Sequence, residues 1–111
     1  IYGDMYTTNS LTMNGGSIEG NSACEDGGGV FADKHTTFTM QDAVIKNNKA
    51  DRFGGGIYAG PIDPYELSTN GSSITMTNSS IMDNEAGSDG GGVYVDGESS
   101  IAITDSSIMG N

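Results

Sequence analysis

Few side chains in this sequence are suited to proton transfer or nucleophilic attack. There is one histidine, His35, one arginine, Arg52, one cysteine, Cys24, and lysines at 34, 46 and 49. Against these four basic residues stand 15 Asp and Glu, a net charge of −11. Two carboxylates at a set separation would serve glycoside hydrolysis. Most of the aspartates, however, lie among Gly and Asn, where turn chemistry already accounts for them. His35 sits beside Lys34 in a turn with no second base or ligand near it. Serines are plentiful, but none has a positioned base. The chain therefore reads as non-enzymatic and needs no cofactor. Cys24 cannot form an internal disulfide and reads as a tolerated thiol at a turn. The acidic balance disfavours nucleic acid and anionic membranes, because phosphate affinity rests on Lys and Arg. No apolar run approaches the roughly 20 residues of a membrane helix, so membrane insertion by this segment is not expected. No signal peptide or initiator Met is evident, and Ile1 falls within a repeat. That start suggests a piece of something longer, or a processed chain.

Repetition organises the rest. Gly27-Gly28-Gly29-Val30-Phe31-Ala32, Gly54-Gly55-Gly56-Ile57-Tyr58-Ala59 and Gly90-Gly91-Gly92-Val93-Tyr94-Val95 are one phrase, and Ile1-Tyr2-Gly3 reads as its tail. A second phrase recurs as Leu11-Thr12-Met13, Phe38-Thr39-Met40, Ile74-Thr75-Met76 and Ile101-Ala102-Ile103. The third is Ile-x-x-Asn, ending at Asn21, Asn48, Asn84 and Asn111, at successive offsets of 27, 36 and 27 residues. A fixed period of this size marks a repeat architecture. Apolar residues held in register also argue against disorder, despite 18 glycines.

Within one repeat, Val30 and Ala32 alternate with Phe31 and Asp33, and Phe38 and Met40 alternate with Thr37, Thr39 and Gln41, the period of a strand. Val44 to Asn48 is a third, shorter segment. No helical period persists. Regular short strands would also suit an antiparallel sandwich. Identical phrases returning once per repeat favour a coil in which like stacks on like, the other sides of the coil supplying the crossover that parallel strands require. The expectation is an all-β parallel β-helix of about four coils of about 27 residues, without helices. It forms one segment over 1–111, with coils near 1–26, 27–53, 54–89 and 90–111. The longer interval places an inserted loop near 60–71.

Stacking assigns each column a part. Val30/Ile57/Val93, Leu11/Phe38/Ile74/Ile101, Met13/Met40/Met76/Ile103 and Ile18/Ile45/Ile81/Ile108 point inward, with Ala23, Ala50 and Ala86 at a tight corner. Asn21, Asn48, Asn84 and Asn111 form a structural ladder, since Asn tolerates left-handed turns and stacked amides bond from coil to coil. The glycine triplets supply corner geometry; they do not open a helix, as a dinucleotide site would require. Tyr2, Phe31, Tyr58 and Tyr94 become an outward aromatic ladder, fit for contact with sugar or protein. Ser, Thr, Asn and Gln face outward from the second strand of each coil, Ala102 excepted, like the threonine face of ice-binding solenoids. In the inserted loop, Pro61, Asp63 and Tyr65 are candidate partner contacts, because solenoid insertions gather on one side. Asp4 and Asp33 follow the first strand on adjacent coils, where like charges invite a hard cation such as calcium.

These motifs resemble the Gly-Gly-Ala-Ile and Phe-x-x-Asn tandem repeats of the polymorphic outer-membrane proteins of chlamydiae and related bacterial surface β-helices. Gly28-Gly29-Val30, Gly55-Gly56-Ile57 and Gly91-Gly92-Val93 are similar to the first motif. Ile18 to Asn21, Ile45 to Asn48, Ile81 to Asn84 and Ile108 to Asn111 are similar to the second, with Ile for Phe. The resemblance implies a right-handed parallel β-helix at a cell surface or outside the cell, used in adhesion to a surface protein or glycan. Two alternatives stand beside a structural or adhesive segment. One is an extracellular filament subunit stacking end to end on copies of itself; the other is an ice- or carbohydrate-binding solenoid.

Overall fold

The computed structural model describes residues 2–3, 9–33, 35–60 and 71–111. In chain order the strands are β1 (Tyr2–Gly3), β2 (Asn9–Asn14), β3 (Ser17–Glu19), β4 (Ser22–Ala23), β5 (Val30–Ala32), β6 (Thr36–Gln41), β7 (Val44–Lys46) and β8 (Lys49–Ala50). They continue as β9 (Ile57–Ala59), β10 (Ser73–Thr77), β11 (Ser80–Met82), β12 (Glu85–Ala86), β13 (Val93–Val95), β14 (Ser100–Thr104) and β15 (Ser107–Met109). Each strand pairs in parallel with its counterpart one repeat away. The described strands thus make four sheets: β1-β5-β9-β13, β2-β6-β10-β14, β3-β7-β11-β15 and β4-β8-β12. This is the all-β parallel solenoid that the repeated phrases lead one to expect.

The register is the one that like-on-like stacking demands. Ile45 pairs with Ile18 on one side and Ile81 on the other. Met40 pairs with Met13 and Met76, and Ile57 with Val30 and Val93. A one-residue slip would turn each of these side chains to solvent. Phe38, Met40, Ile45, Ile57, Ile74, Met76 and Ile81 are all fully buried in one continuous core. Burying each such side chain stabilises the fold by about 1.5–3 kcal/mol relative to exposure.

Three of the coils have one strand more than the alternating pattern indicates. The alanine column is a fourth short strand, not merely a corner: Ala50 pairs with both Ala23 and Ala86. A two-residue strand is too short to show alternation, so only its recurrence betrays it.

The corners explain where the polar residues went. Gly15, Asp42, Asn78 and Asp105 share one corner, all at positive φ, and Gly20, Asn47, Asp83 and Gly110 share another. Asn, Asp and Gly are the residues that enter this left-handed conformation at least cost. Asp42, Asp83 and Asp105 thus have a conformational role in turning the chain. At the glycine-triplet corner the reason is space. A Cβ on Gly56 would meet the carbonyl oxygen of Gly92, and one on Gly29 would lie 2.7 Å from that of Gly56.

Asparagines tie this corner to the next coil. The Oδ1 of Asn48 accepts from both the backbone N–H and the Nδ2 of Asn21, each at 3.0 Å. Asn48 donates in the same way to Oδ1 of Asn84, and Asn84 to that of Asn111. The second Nδ2 hydrogen returns to a backbone carbonyl: Asn48 to Ile18, Asn84 to Ile45 and Asn111 to Ile81. The bonds to Oδ1 all run forward along the stack, and the bonds to the carbonyls of Ile18, Ile45 and Ile81 all run back, so Asn48 and Asn84 each tie their coil to both neighbours.

Two serine ladders do the same work at other corners. Ser72 Oγ accepts from Thr36 N–H at 3.3 Å, and Ser99 Oγ accepts from Ser72 N–H at 2.9 Å. Ser79 Oγ accepts from Ala43 N–H, and Ser106 Oγ from Ser79 N–H. A buried backbone donor without such a partner would cost about 1–3 kcal/mol.

Candidate functional site

A solenoid offers its surroundings the outward faces of its sheets, so candidate sites are sought there. On the first sheet, Phe31, Tyr58 and Tyr94 stand on adjacent strands with their side chains in line. Phe31 and Tyr58 stack with centroids 4.9 Å apart at 19°, and Tyr58 and Tyr94 at 5.6 Å and 5°. Tyr2 pairs with Phe31 through the backbone, which places it at the same position of the ladder. Phe53 joins from the neighbouring corner, its ring 4.7 Å from that of Tyr94. Arg52 lies over Phe53 at 5.3 Å, and its Nε is 3.6 Å from Oδ1 of Asp26, which also accepts from Phe53 N–H.

This packing changes the reading of the aromatic column. A sugar stacks on an open ring face, but Phe31 and Tyr94 occupy the two faces of Tyr58. Tyr58 is only 4% exposed, so it is a buried member of the ladder and not an outward contact. Burial, then the charges of Asp26 and Asp96 and the neighbouring Tyr94, pushes its phenol up to about 12, with Arg52 pulling the other way. Phe31 and Tyr94 are half-buried. Aromatic stacking of this kind stabilises adjacent strands.

Of the two aspartates expected to attract calcium, only Asp33 lies among the described residues. Asp33 is fully buried, and its carbonyl accepts from the Ser72 hydroxyl. On the next coil the equivalent place belongs to Gly60, where a Cβ would lie 2.9 Å from Cβ of Asp96. Asp33 and Asp96 are thus parted by a whole rung. Asp4 lies outside the described residues, as do Pro61, Asp63 and Tyr65 of the inserted loop. Among the described residues no three of His, Cys, Asp and Glu come together as metal ligands. Cys24 is exposed, and His35 occupies a left-handed turn at φ 60°.

The second sheet presents the broadest polar face. Its outward residues fall into three ranks across β2, β6, β10 and β14: Ser10-Thr37-Ser73-Ser100, Thr12-Thr39-Thr75-Ala102 and Asn14-Gln41-Thr77-Thr104. Alternate burial along β6 and β10 sets these residues opposite Phe38, Met40, Ile74 and Met76. Rungs lie about 4.8 Å apart, and same-face residues along a strand about 6.7 Å apart. None of these positions is charged, in a chain with 15 acidic and four basic residues.

The third and fourth sheets carry charge in pairs. Lys46 lies 3.2 Å from Glu19, and Lys49 lies 3.1 Å from Glu85, one rung apart in each case. All four side chains are well exposed, so each pair contributes at most about 1 kcal/mol.

Neither a curated protein nor a solved structure matches the chain. Residues 42–60, which run from the left-handed corner at Asp42 through Asn48 and the glycine triplet to the end of β9, match the Chlamydia polymorphic membrane protein repeat.

Proposed function

We propose that this chain is a non-enzymatic structural and adhesive segment of a cell-surface β-helix, displaying its lateral faces to a protein or glycan on another surface. The observation that carries this reading is the match over residues 42–60. The matched residues are those that build a rung: Ile45 in the core, Asn48 in the ladder and Gly54, Gly55 and Gly56 at the closest corner. What the chain shares with that membrane-protein repeat is therefore the stacking machinery, which leaves the outward ranks to vary with the partner. A stack of parallel rungs also suits a spacer that holds a binding face away from its anchor, since each rung is fixed by its neighbours.

The test is fold-dependent adhesion. Beads coated with the chain should be retained on cell monolayers, and beads coated with the Ile45→Asp variant should not. Ile45 is fully buried, so an unpaired carboxylate there unfolds the stack. Equal retention of the two would mean that the folded faces do not carry adhesion.

A further inference from the structure

We propose that the outward face of the β2-β6-β10-β14 sheet binds a neutral, polyhydroxylated polymer, a polysaccharide chain lying across the rungs. The inference rests on the adhesive reading above and names where the contact is made and with what.

Four observations carry it. First, all three ranks of this face are uncharged in a chain of net charge −11, so the charge has been kept off one face. Second, the corner next to the third rank bears Asp42 and Asp105, which would repel an anionic polymer approaching that edge. Third, the ranks offer hydroxyls and side-chain amides, groups that both donate and accept, which is what a sugar hydroxyl requires. Fourth, the hydroxyls repeat at every rung on a rigid sheet, and threonine is stiff at χ1. The array therefore meets a repeating polymer with little ordering cost and adds many weak contacts along one chain.

Ordered water is the competing occupant of a threonine-rich sheet, and the face itself argues against it. An ice-like layer needs identical ranks. Here Asn14 and Gln41 reach well beyond the threonines that continue their rank, and Ala102 breaks the middle one. Long amides beside short hydroxyls adapt to a partner of uneven relief. The aromatic ladder is no rival, since the faces of its central ring are already occupied by neighbouring rings.

The test is depletion of the folded chain from solution by insoluble amylose, mannan, β-1,3-glucan and amorphous cellulose, with alginate gel as the anionic control. The wild-type chain should be depleted by at least one neutral polymer, equally at low and high salt, and not by alginate. Thr39→Lys lies in the middle of the face and Thr12→Lys at an exposed position of the same rank. Each should lose binding about tenfold while melting like the wild type. Thr12→Lys keeps the test decisive if Thr39→Lys fails to fold. Three results would overturn the proposal: no depletion by any neutral polymer, depletion abolished by salt, or depletion unchanged in both variants. Thermal hysteresis without polymer binding would also overturn it, giving the face to ice. Beads that still adhere to cells while no polysaccharide is bound would remove this inference and leave the adhesive reading standing.

Discussion

Replacing Asn48 is the sharpest way to ask whether side-chain ladders hold the stack. The residue is 1% exposed. Its side chain makes four hydrogen bonds: Nδ2 donates to Ile18 O and Asn84 Oδ1, and Oδ1 accepts from Asn21 N and Nδ2. Asn48→Ala removes all four and keeps the backbone bond to Asn84 Oδ1. Asn21 is exposed, so its two donors recover water, whereas the groups facing the interior do not. At about 1 kcal/mol per bond, with part of the loss returned by solvent, the cost is about 3 kcal/mol.

Asn48→Asp keeps the shape and reverses the chemistry. The oxygen that replaces Nδ2 faces the carbonyl of Ile18 and Oδ1 of Asn84, both acceptors. An ionised carboxylate there is buried, unpaired and repelled, so the introduced acid holds its proton in the folded state. Its folded pKa is then raised above the unfolded value of about 3.9. Stability is retained below about pH 4 and falls as the pH rises through the folded pKa. Asn48→Ala carries no such dependence. Urea denaturation across pH, read as the midpoint at constant slope, separates the two variants. The control is Asn21→Ala, which keeps the N–H bond and loses one exposed amide contact, a cost of under about 1 kcal/mol. If Asn48→Ala costs no more than Asn21→Ala, or if Asn48→Asp shows no pH dependence relative to Asn48→Ala, the ladder does not hold the coils as described.

Two glycines should separate crowding from backbone conformation. A Cβ on Gly55 falls on the carbonyls of Glu85 and Gly91, so Gly55→Ala should abolish the cooperative melt; Gly20 has φ +70° and open space, so Gly20→Ala should cost only about 1–2 kcal/mol. Because the Tyr58 phenol is pushed up to about 12 from an unfolded value near 10, its contribution is complete below pH 10 and lost as the pH rises through 12. Wild type should therefore lose about 2–3 kcal/mol across that window beyond any loss in Tyr58→Phe, measured by the difference in denaturation midpoints. Lys46→Ala and Lys49→Ala should each move stability by less than about 1 kcal/mol at moderate salt, since both ion pairs are exposed.

Recurrence made the stack legible in the sequence, and what recurrence could not show stayed hidden. The offsets between Asn21, Asn48, Asn84 and Asn111 place those residues on one line, and turn chemistry says what Asn does there. The serine ladders recur too, at Ser72 and Ser99 and at Ser79 and Ser106, but serine is common enough here to mask the pattern. Phe53 was hidden for the opposite reason. It breaks its column, standing where Asp26 and Asp89 stand on neighbouring coils, and its partner Tyr94 lies in a different phrase. The substitution of a ring for an acid was the available signal. Burial of Tyr58 could not be read at all, because alternation gives the side of the sheet and not what covers it. Aspartate also recurs after the first strand, at Asp33 and Asp96, but the Gly60 rung lies between them, so recurrence by itself does not bring those two carboxylates together.

The measurement closest to the central claim, that each motif residue touches its counterpart one repeat away in parallel register, is the NMR contact pattern of the labelled chain. The account predicts methyl contacts from Ile18 to Ile45, Ile45 to Ile81 and Ile81 to Ile108, together with the interstrand amide-to-α-proton contacts of parallel pairing between β7 and β11. Close α-proton to α-proton contacts between strands consecutive in sequence, such as β6 and β7, would indicate antiparallel hairpins and contradict the stack.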